Sequence, residues 1–366
     1  MPKKKQPKLS ILVPCYNVEK YLPECLASIV GQTLNDIEII VINDGSRDST
    51  LDIIKSYAKR DKRIVVIDKE NEGYGKSMNR GLDAATGEYV GIVESDDWVE
   101  SDMFENLVKI ADKNKLDVVK SNFYQYTTMN GIKNVIHNNL PESDLNHLIY
   151  PKQNIGVFFA SPAIWSAIYN REFLTKNDIR FLESPGASYQ DTGFNFKVFA
   201  CAKRAYLLPN AWPHYRCDNE NSSVKSSGKI FCVCDEYDEI TRFFHARGEL
   251  DDAMKCLITA ARVNTYFWNL NRLTTDARKQ FAERFASEYR AYRKSGALNR
   301  KYFDDKTWFK LMSIMYPHNP IYPILRIATA IVSPIYKTRI RGGYKVYYLF
   351  NKFVIKQAKM SGENNA

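Results

Sequence analysis

The chain has 366 residues, 45% of them hydrophobic, enough to fill a sizeable core as one large domain or two. Its 52 Lys and Arg against 42 Asp and Glu leave a formal charge of +10, and seven of the basic residues, with no acid among them, lie between Lys337 and Lys359. No stretch reaches the roughly 18 uncharged apolar residues that a membrane-spanning helix needs, which excludes that class. Met1-Pro2-Lys3-Lys4-Lys5 is basic but opens no apolar run, so a signal peptide is not expected. The seven cysteines show no C-x-x-C pair, and Cys232 and Cys234 are too close for an ordinary metal hairpin. Reduced thiols in a cytosolic protein are the economical reading.

Leu9 to Val13 is a short apolar run stopped by Pro14 and reads as a strand of a parallel sheet. Cys15-Tyr16-Asn17 turn, and Leu22, Cys25, Leu26 and Ile29 give Glu19 to Val30 a helical face. Ile37 to Ile42 is a second buried strand, running into Asn43-Asp44-Gly45-Ser46, a turn by its chemistry. Ser49 or Asp48 then caps a helix with Leu51, Ile54 and Tyr57 on one face. Ile64 to Ile67 is a third strand, Gly73 to Ala85 a helix opened by glycine, and Tyr89 to Val93 a fourth strand. That cadence predicts an α/β fold with a doubly wound, mostly parallel sheet. The loops after strands one, two and four carry Tyr16, Asp44 and Asp96-Asp97, and should gather at one edge.

The fourth strand stops at Glu94-Ser95-Asp96-Asp97. Neighbouring carboxylates repel each other, and they become favourable when a divalent cation sits between them and a bound phosphate. The other reading is a solvated acidic turn leading into a helix near Asp102.

Five blocks now stand in order: Ser10 to Asn17 (SILVPCYN), Ile40 to Ser46 (IVINDGS), Asn71-Glu72-Gly73, Ala85 to Tyr89 (ATGEY) and Ser95-Asp96-Asp97-Trp98. Their order and spacing resemble the family 2 inverting glycosyltransferases. More weakly, the likeness continues through Trp165 to Leu174, Tyr189 to Phe196 and His214 to Val224, and so covers roughly residues 8–225. The resemblance implies a GT-A fold (Rossmann-like, with flanking helices), a UDP-sugar donor and a Mn²⁺ or Mg²⁺ cofactor. It implies that Pro14 and Tyr16 wall and stack the uracil, with Asn17 and Glu19 on the same donor-binding loop. Asp44 would hydrogen-bond the base, and Gly73 and Ser95 would line the donor site. Asp96 resembles the ribose or metal carboxylate and Asp97 the direct metal ligand. Glu94 stands where many relatives have Asp. Met78 stands where many have Arg, and Lys76 would supply that charge. Tyr189 to Phe196 resembles the stretch that carries the general base: Gln190 replaces the usual Glu, and Asp191 is kept as the base. Arg216 and Ser222 would reach the diphosphate, and His214 would be a further metal ligand.

Independently of the family, an inverting transfer needs one base opposite the leaving diphosphate, and a single carboxylate at a helix start serves. Asp191 could equally be read as the N-cap of a helix from Thr192 to Ala200.

From Ile230 the pattern changes to long helical segments, Ile230–Arg247, Asp251–Asn269 and Thr275–Lys294. The expected division is 1–225 for the transferase, 226–316 for a C-terminal helical extension and 317–366 for a basic, membrane-associating tail. Ile321 to Tyr336 is apolar but is cut by Pro323 and Pro334, which suits an interfacial helix. Tyr344, Tyr347, Tyr348, Phe350 and Phe353 amid the lysines suit the headgroup layer of an anionic membrane. Nucleic acid is set aside as a partner, because no recognition module accompanies the basic stretch.

The sequence thus points to a metal-dependent transferase working from a UDP-sugar to a glycan or lipid-linked oligosaccharide, peripheral to the cytoplasmic face of the cell membrane. A homo-oligomer is compatible with it. A sugar nucleotidyltransferase would need a Gly-rich basic loop where Pro14-Cys15-Tyr16-Asn17-Val18 stands. An inactive nucleotide-sugar-binding scaffold is favoured by Glu94, Met78 and Gln190, and opposed by the presence of Asp96, Asp97 and Asp191.

Overall fold

The structure is a computed structural model that describes residues 6–129, 131–187, 189–219, 229–322, 324, 336–341, 344–349 and 353–359. Every position of β1 (Leu9–Cys15) is buried, as is all of β2 (Ile37–Asp44) except Glu38. Runs of this kind mark strands with helices over both faces. Between and after them come α1 (Leu22–Val30), α2 (Thr50–Arg60), β3 (Ile64–Lys69), α3 (Tyr74–Ala84) and β4 (Tyr89–Ile92). Then follow β5 (Trp98–Val99), α4 (Met103–Asn114), β6 (Val118–Thr127), β7 (Lys133–His137), β8 (Leu148–Ile149), β9 (Ala167–Asn170), α5 (Arg171–Lys176), α6 (Gln190–Cys201) and β10 (Ala205–Arg216).

The sheet runs β3-β2-β1-β4-β9-β6-β10-β5, with β7 on β6 and β8 on β10. Its first four strands pair parallel, so the loops that follow β1, β2 and β4 leave from one edge. The sheet is mixed beyond them: β9 lies antiparallel between β4 and β6, and β10 is parallel to β6. Two register shifts bend β10 between Leu208 and His214, and its end pairs antiparallel with β5, His214 opposite Trp98. That pairing brings Arg216 beside the acidic end of β4.

The chain divides into two compact units, Met1–Ile240 and Thr241–Ala366, the division falling within α7 (Cys232–Ala246). The second unit holds α8 (Asp252–Arg272), α9 (Thr275–Ser295) and α10 (Asp305–Met315), the first two packed through the rings of Tyr266, Phe281, Phe285 and Tyr289. Its tail forms an antiparallel sheet of β11 (Tyr336–Arg341), β12 (Tyr344–Leu349) and β13 (Phe353–Lys359). The helix read over Ile321 to Tyr336 falls almost wholly outside the described residues.

Helix starts differ from the sequence reading in two places that matter. The first helix begins at Leu22 with Pro23 in its first turn, because the Glu19 carboxylate is engaged with the backbone of Ser49. The helix carrying Asp191 begins at Gln190, so Asp191 lies inside the first turn and is not its N-cap. That place belongs to Tyr189, in the left-handed region at φ 66°.

Candidate active site

The loops after β1 and β2 are stitched together by the side chains they carry. The Asn17 amide donates to Ser46 Oγ at 3.1 Å, and the Arg47 amide donates to Asn17 Oδ1 at 2.8 Å. One step on, the Glu19 amide donates to Asp48 Oδ2 at 3.1 Å, and the Ser49 amide to Glu19 Oε2 at 2.9 Å. Asn17 and Glu19 therefore brace the site's framework. Tyr16 is left 47% exposed beside them, while Pro14 is buried beneath. The ring overlooks a cleft of about 1030 Å³ lined also by Lys20, Tyr21, Arg47, Met129 and Arg216.

Asp44 ends β2 almost fully buried, at 5% exposure. Its carboxylate accepts from Lys69 Nζ, from the Glu72 amide at 2.9 Å and from the Gly73 amide at 3.0 Å. Gly73 stands at φ 93°, where a side chain would also strike the backbone of Gly186 at 2.8 Å, so only glycine can open α3 here. Lys76 pairs with Glu72 at 2.9 Å and holds that carboxyl down at about 2, whereas Met78 is wholly buried.

The acidic strand end is organised by β10. The Arg216 amide donates to Asp97 Oδ1 at 2.8 Å, its Nε to the Asp96 carbonyl at 2.9 Å, and its terminal nitrogen to Glu24 Oε2 at 2.6 Å. The guanidinium is also packed against the rings of Tyr21 and Trp98, each 4.9 Å away. Asp96 is partly exposed and accepts from Asn219 Nδ2 at 2.8 Å; Asp97 is 3% exposed. Burial first, and the neighbouring Asp96 charge second, push the Asp97 carboxyl well above its ordinary range. Glu94 is pushed up to about 8 by burial, against a hydrogen bond from Tyr74 Oη at 2.7 Å, with Asp96 and Asp191 adding repulsion. Ser95 is buried between them.

Asp191 sits within electrostatic reach of Glu94, on the first turn of α6. Its Oδ1 accepts from the Thr192 amide at 2.8 Å. Burial raises its carboxyl to about 6, with Lys120 pulling the other way. Lys120 is itself buried and donates to the carbonyls of Pro162 and Ala163, both at 2.6 Å, and burial lowers it to about 7.

The profile of the family described as "Glycosyl transferase family 2" matches residues 10–176, the span from the buried β1 past the acidic strand end to β9 and α5. Residues 10–176 form a glycosyl transferase family 2 domain. The chain is 36% identical over 228 residues to the uncharacterized glycosyltransferase EpsJ of Bacillus subtilis, 59% of this chain and 62% of that protein. To EpsH of the same organism, described as a glycosyltransferase, it is 29% identical over 286 residues, 76% of this chain and 81% of that protein. Among solved structures it resembles S. aureus TarS 1–349 in complex with UDP-GlcNAc, with a TM-score of 0.65 and 20% identity over 96% of this chain and 99% of that one. That likeness shows the GT-A-like fold: the mixed, mostly parallel sheet with flanking helices, followed by C-terminal helices.

In this family 2 domain the acidic strand end suits a divalent cation. Asp97 Oδ2 is buried with no hydrogen-bond partner among the described residues, and Asp96 offers a partly open carboxylate. A cation would reverse the burial and repulsion that hold the Asp97 proton. No group of three or more acidic, His or Cys ligands gathers among the described residues. Two carboxylates with substrate oxygens completing the shell is the arrangement Mg²⁺ commonly takes. His214 is not free to join: Nδ1 meets Asn134 Oδ1 at 3.0 Å, Nε2 meets Glu100 Oε1 at 2.9 Å, and its ring is stacked between Trp98 and Tyr124. Ser222 lies outside the described residues.

The structure adds residues to the candidate site that the sequence reading passed over. Lys69, Tyr74 and Asn219 hydrogen-bond Asp44, Glu94 and Asp96 in turn, and the charge of Lys120 acts on Asp191. Only Lys120 left a signal, as a lysine directly after the apolar pair Val118-Val119 that opens the strand.

Proposed function

We propose that the domain is an inverting, metal-dependent glycosyltransferase moving a sugar from a UDP-linked donor to a hydroxyl of a glycan or lipid-linked acceptor in cell-surface polysaccharide synthesis. The observation that carries this reading is that Asp96, Asp97 and Asp191 all lie within electrostatic reach of Tyr215, and that the last of them has an affinity for a proton at about 6. Such a group is mostly ionised at neutral pH yet basic enough to take a proton in the transition state. In this reading Asp191 removes the proton of the acceptor hydroxyl as that oxygen displaces the diphosphate from the far face of the sugar. Tyr16 stacks on the base over Pro14. Asp44, engaged by Lys69 and two amides, shapes the base pocket and the Gly73 turn. Arg216, braced by Glu24 and the Asp96 carbonyl, lines the donor cleft. Asp96 and Asp97 would hold Mn²⁺ or Mg²⁺, which when bound supplies charge neutralisation at the leaving diphosphate.

The TarS structure with UDP-GlcNAc supports a UDP-sugar as donor and makes UDP-GlcNAc the first to try. No described helix is long and apolar enough to cross a membrane. The basic tail is assigned to an anionic membrane surface, where a lipid-linked acceptor would be met. The test is a screen of UDP-sugars for hydrolysis and thermal stabilisation with and without Mn²⁺ or Mg²⁺. Metal-dependent turnover of one donor, abolished in Asp191→Asn, is expected; stabilisation by UDP without turnover of any sugar would favour a binding scaffold.

A further inference from the structure

Behind α6 lies a carboxyl that the reaction above does not use. Glu236, on α7, is 1% exposed; neither of its oxygens makes a well-formed hydrogen bond among the described residues, and the Gly193 amide is the backbone group that acts on it. An unpaired buried carboxyl is costly, and an apolar side chain would fill the same space at less expense. Groups kept at such cost concentrate at functional sites. Its placement is specific. A Cβ added to Gly193 would lie 2.3 Å from Glu236 Oε2, so the fourth residue of α6 is glycine because the carboxyl is seated against it.

That seat is two residues beyond Asp191, in a turn whose N-cap residue, Tyr189, makes no capping hydrogen bond with its side chain. Free amides make the start of a helix its positive end, and an uncapped start frays. Gln190 ties the turn on one side through its Nε2, to Ser184 Oγ at 2.8 Å and the Gly186 carbonyl at 2.9 Å. The other side meets α7. Lys197, one turn beyond Gly193 on the same face, is 3.8 Å from Glu239 Oε1. Burial first, and then the Asp191 charge, raise the Glu236 carboxyl to about 9, so it is protonated at neutral pH and puts no second charge beside the base.

We propose that Glu236 is a positioning residue for Asp191: its carboxyl, seated against Gly193, fixes the first turn of α6 and with it the base. This rests on the reading of Asp191 as the general base. The experiment compares Glu236→Gln and Glu236→Met in the full chain, both of matching length and volume, with Asp191→Asn in parallel. Glu236→Gln keeps a polar group against Gly193 and should turn over within about threefold of wild type. Glu236→Met removes the polar contact and should lose kcat by about tenfold or more, the scale set by small misplacements of a catalytic group. UDP affinity and donor KM should stay within about twofold of wild type. Wild-type kcat in Glu236→Met, or a loss of UDP affinity in step with kcat, would overturn the assignment, as would equal losses in both variants. If Asp191→Asn retains turnover, the base reading fails. If it loses turnover while Glu236→Met does not, the base reading stands and only the role of Glu236 fails.

Discussion

Asp191 combines burial, a helix start and a proton affinity near neutrality, and its ionised form is the one that can accept a proton. Activity should therefore be present above about pH 6 and fall roughly tenfold per unit below it as the carboxyl protonates. Asp191→Asn should cost about 10²-fold or more in kcat while UDP binding barely changes; a flat profile between pH 5 and 7 would remove the base from Asp191. Asp97→Asn should abolish transfer and Mn²⁺-dependent UDP binding with the fold intact, read by circular dichroism and calorimetry. His214 gives the contrasting case. Its ring fills the space between Trp98 and Tyr124, so His214→Ala should destabilise by about 2–4 kcal/mol and leave the metal dependence of turnover unchanged.

At the scale of elements, the site depends on how strands and helices carry buried charges. Lys120 on β6 satisfies two carbonyls beside the loop that enters β9, so Lys120→Met should cost about 1–3 kcal/mol from those orphaned acceptors. It also lowers the proton affinity of Asp191, so the acid limb of kcat should move upward in pH in that variant, as a pH–rate profile would show. Between α6 and α7 the pH dependence is one of stability. Glu236 faces Asp191, Lys197 and Glu239, and its folded value of about 9 lies above the ordinary 4.5. The folded protein therefore holds a proton that the unfolded chain releases. Its contribution is full below about pH 4.5 and is lost as pH rises through 9. The melting temperature of wild type should fall relative to Glu236→Gln over that window; parallel curves would show that Glu236 is not buried as a neutral acid.

For the whole molecule, charge decides the setting. Seven basic residues between Lys337 and Lys359 would each gain roughly 1 kcal/mol near an anionic lipid surface, and salt would screen them. The full chain should sediment with anionic liposomes, less with neutral ones, and be released as salt rises. Removing residues 318–366 should abolish sedimentation while UDP-sugar hydrolysis survives. Equal sedimentation of both forms would reassign the tail to packing or a partner subunit.

Much of this was legible along the chain because it is local. The apolar runs of β1 and β2, the turn at Asn43-Asp44-Gly45-Ser46, the acids closing β4 and the long helices after Ile230 depend on near neighbours, and hydrophobic period and turn chemistry report those directly. In the described residues Asp44, Asp96 and Asp97 do stand at strand ends on one sheet edge, as parallel pairing requires. What depended on distant neighbours stayed hidden. The antiparallel β9, the bend in β10 that sets Arg216 on Asp96 and Asp97, the two partners that occupy His214, and the seat of Glu236 against Gly193 each join residues from 40 to more than 100 positions apart. A residue type states what a side chain can donate, accept or titrate. Whether it does so is decided by burial and by the group opposite, and for this protein the tertiary fold alone supplied both.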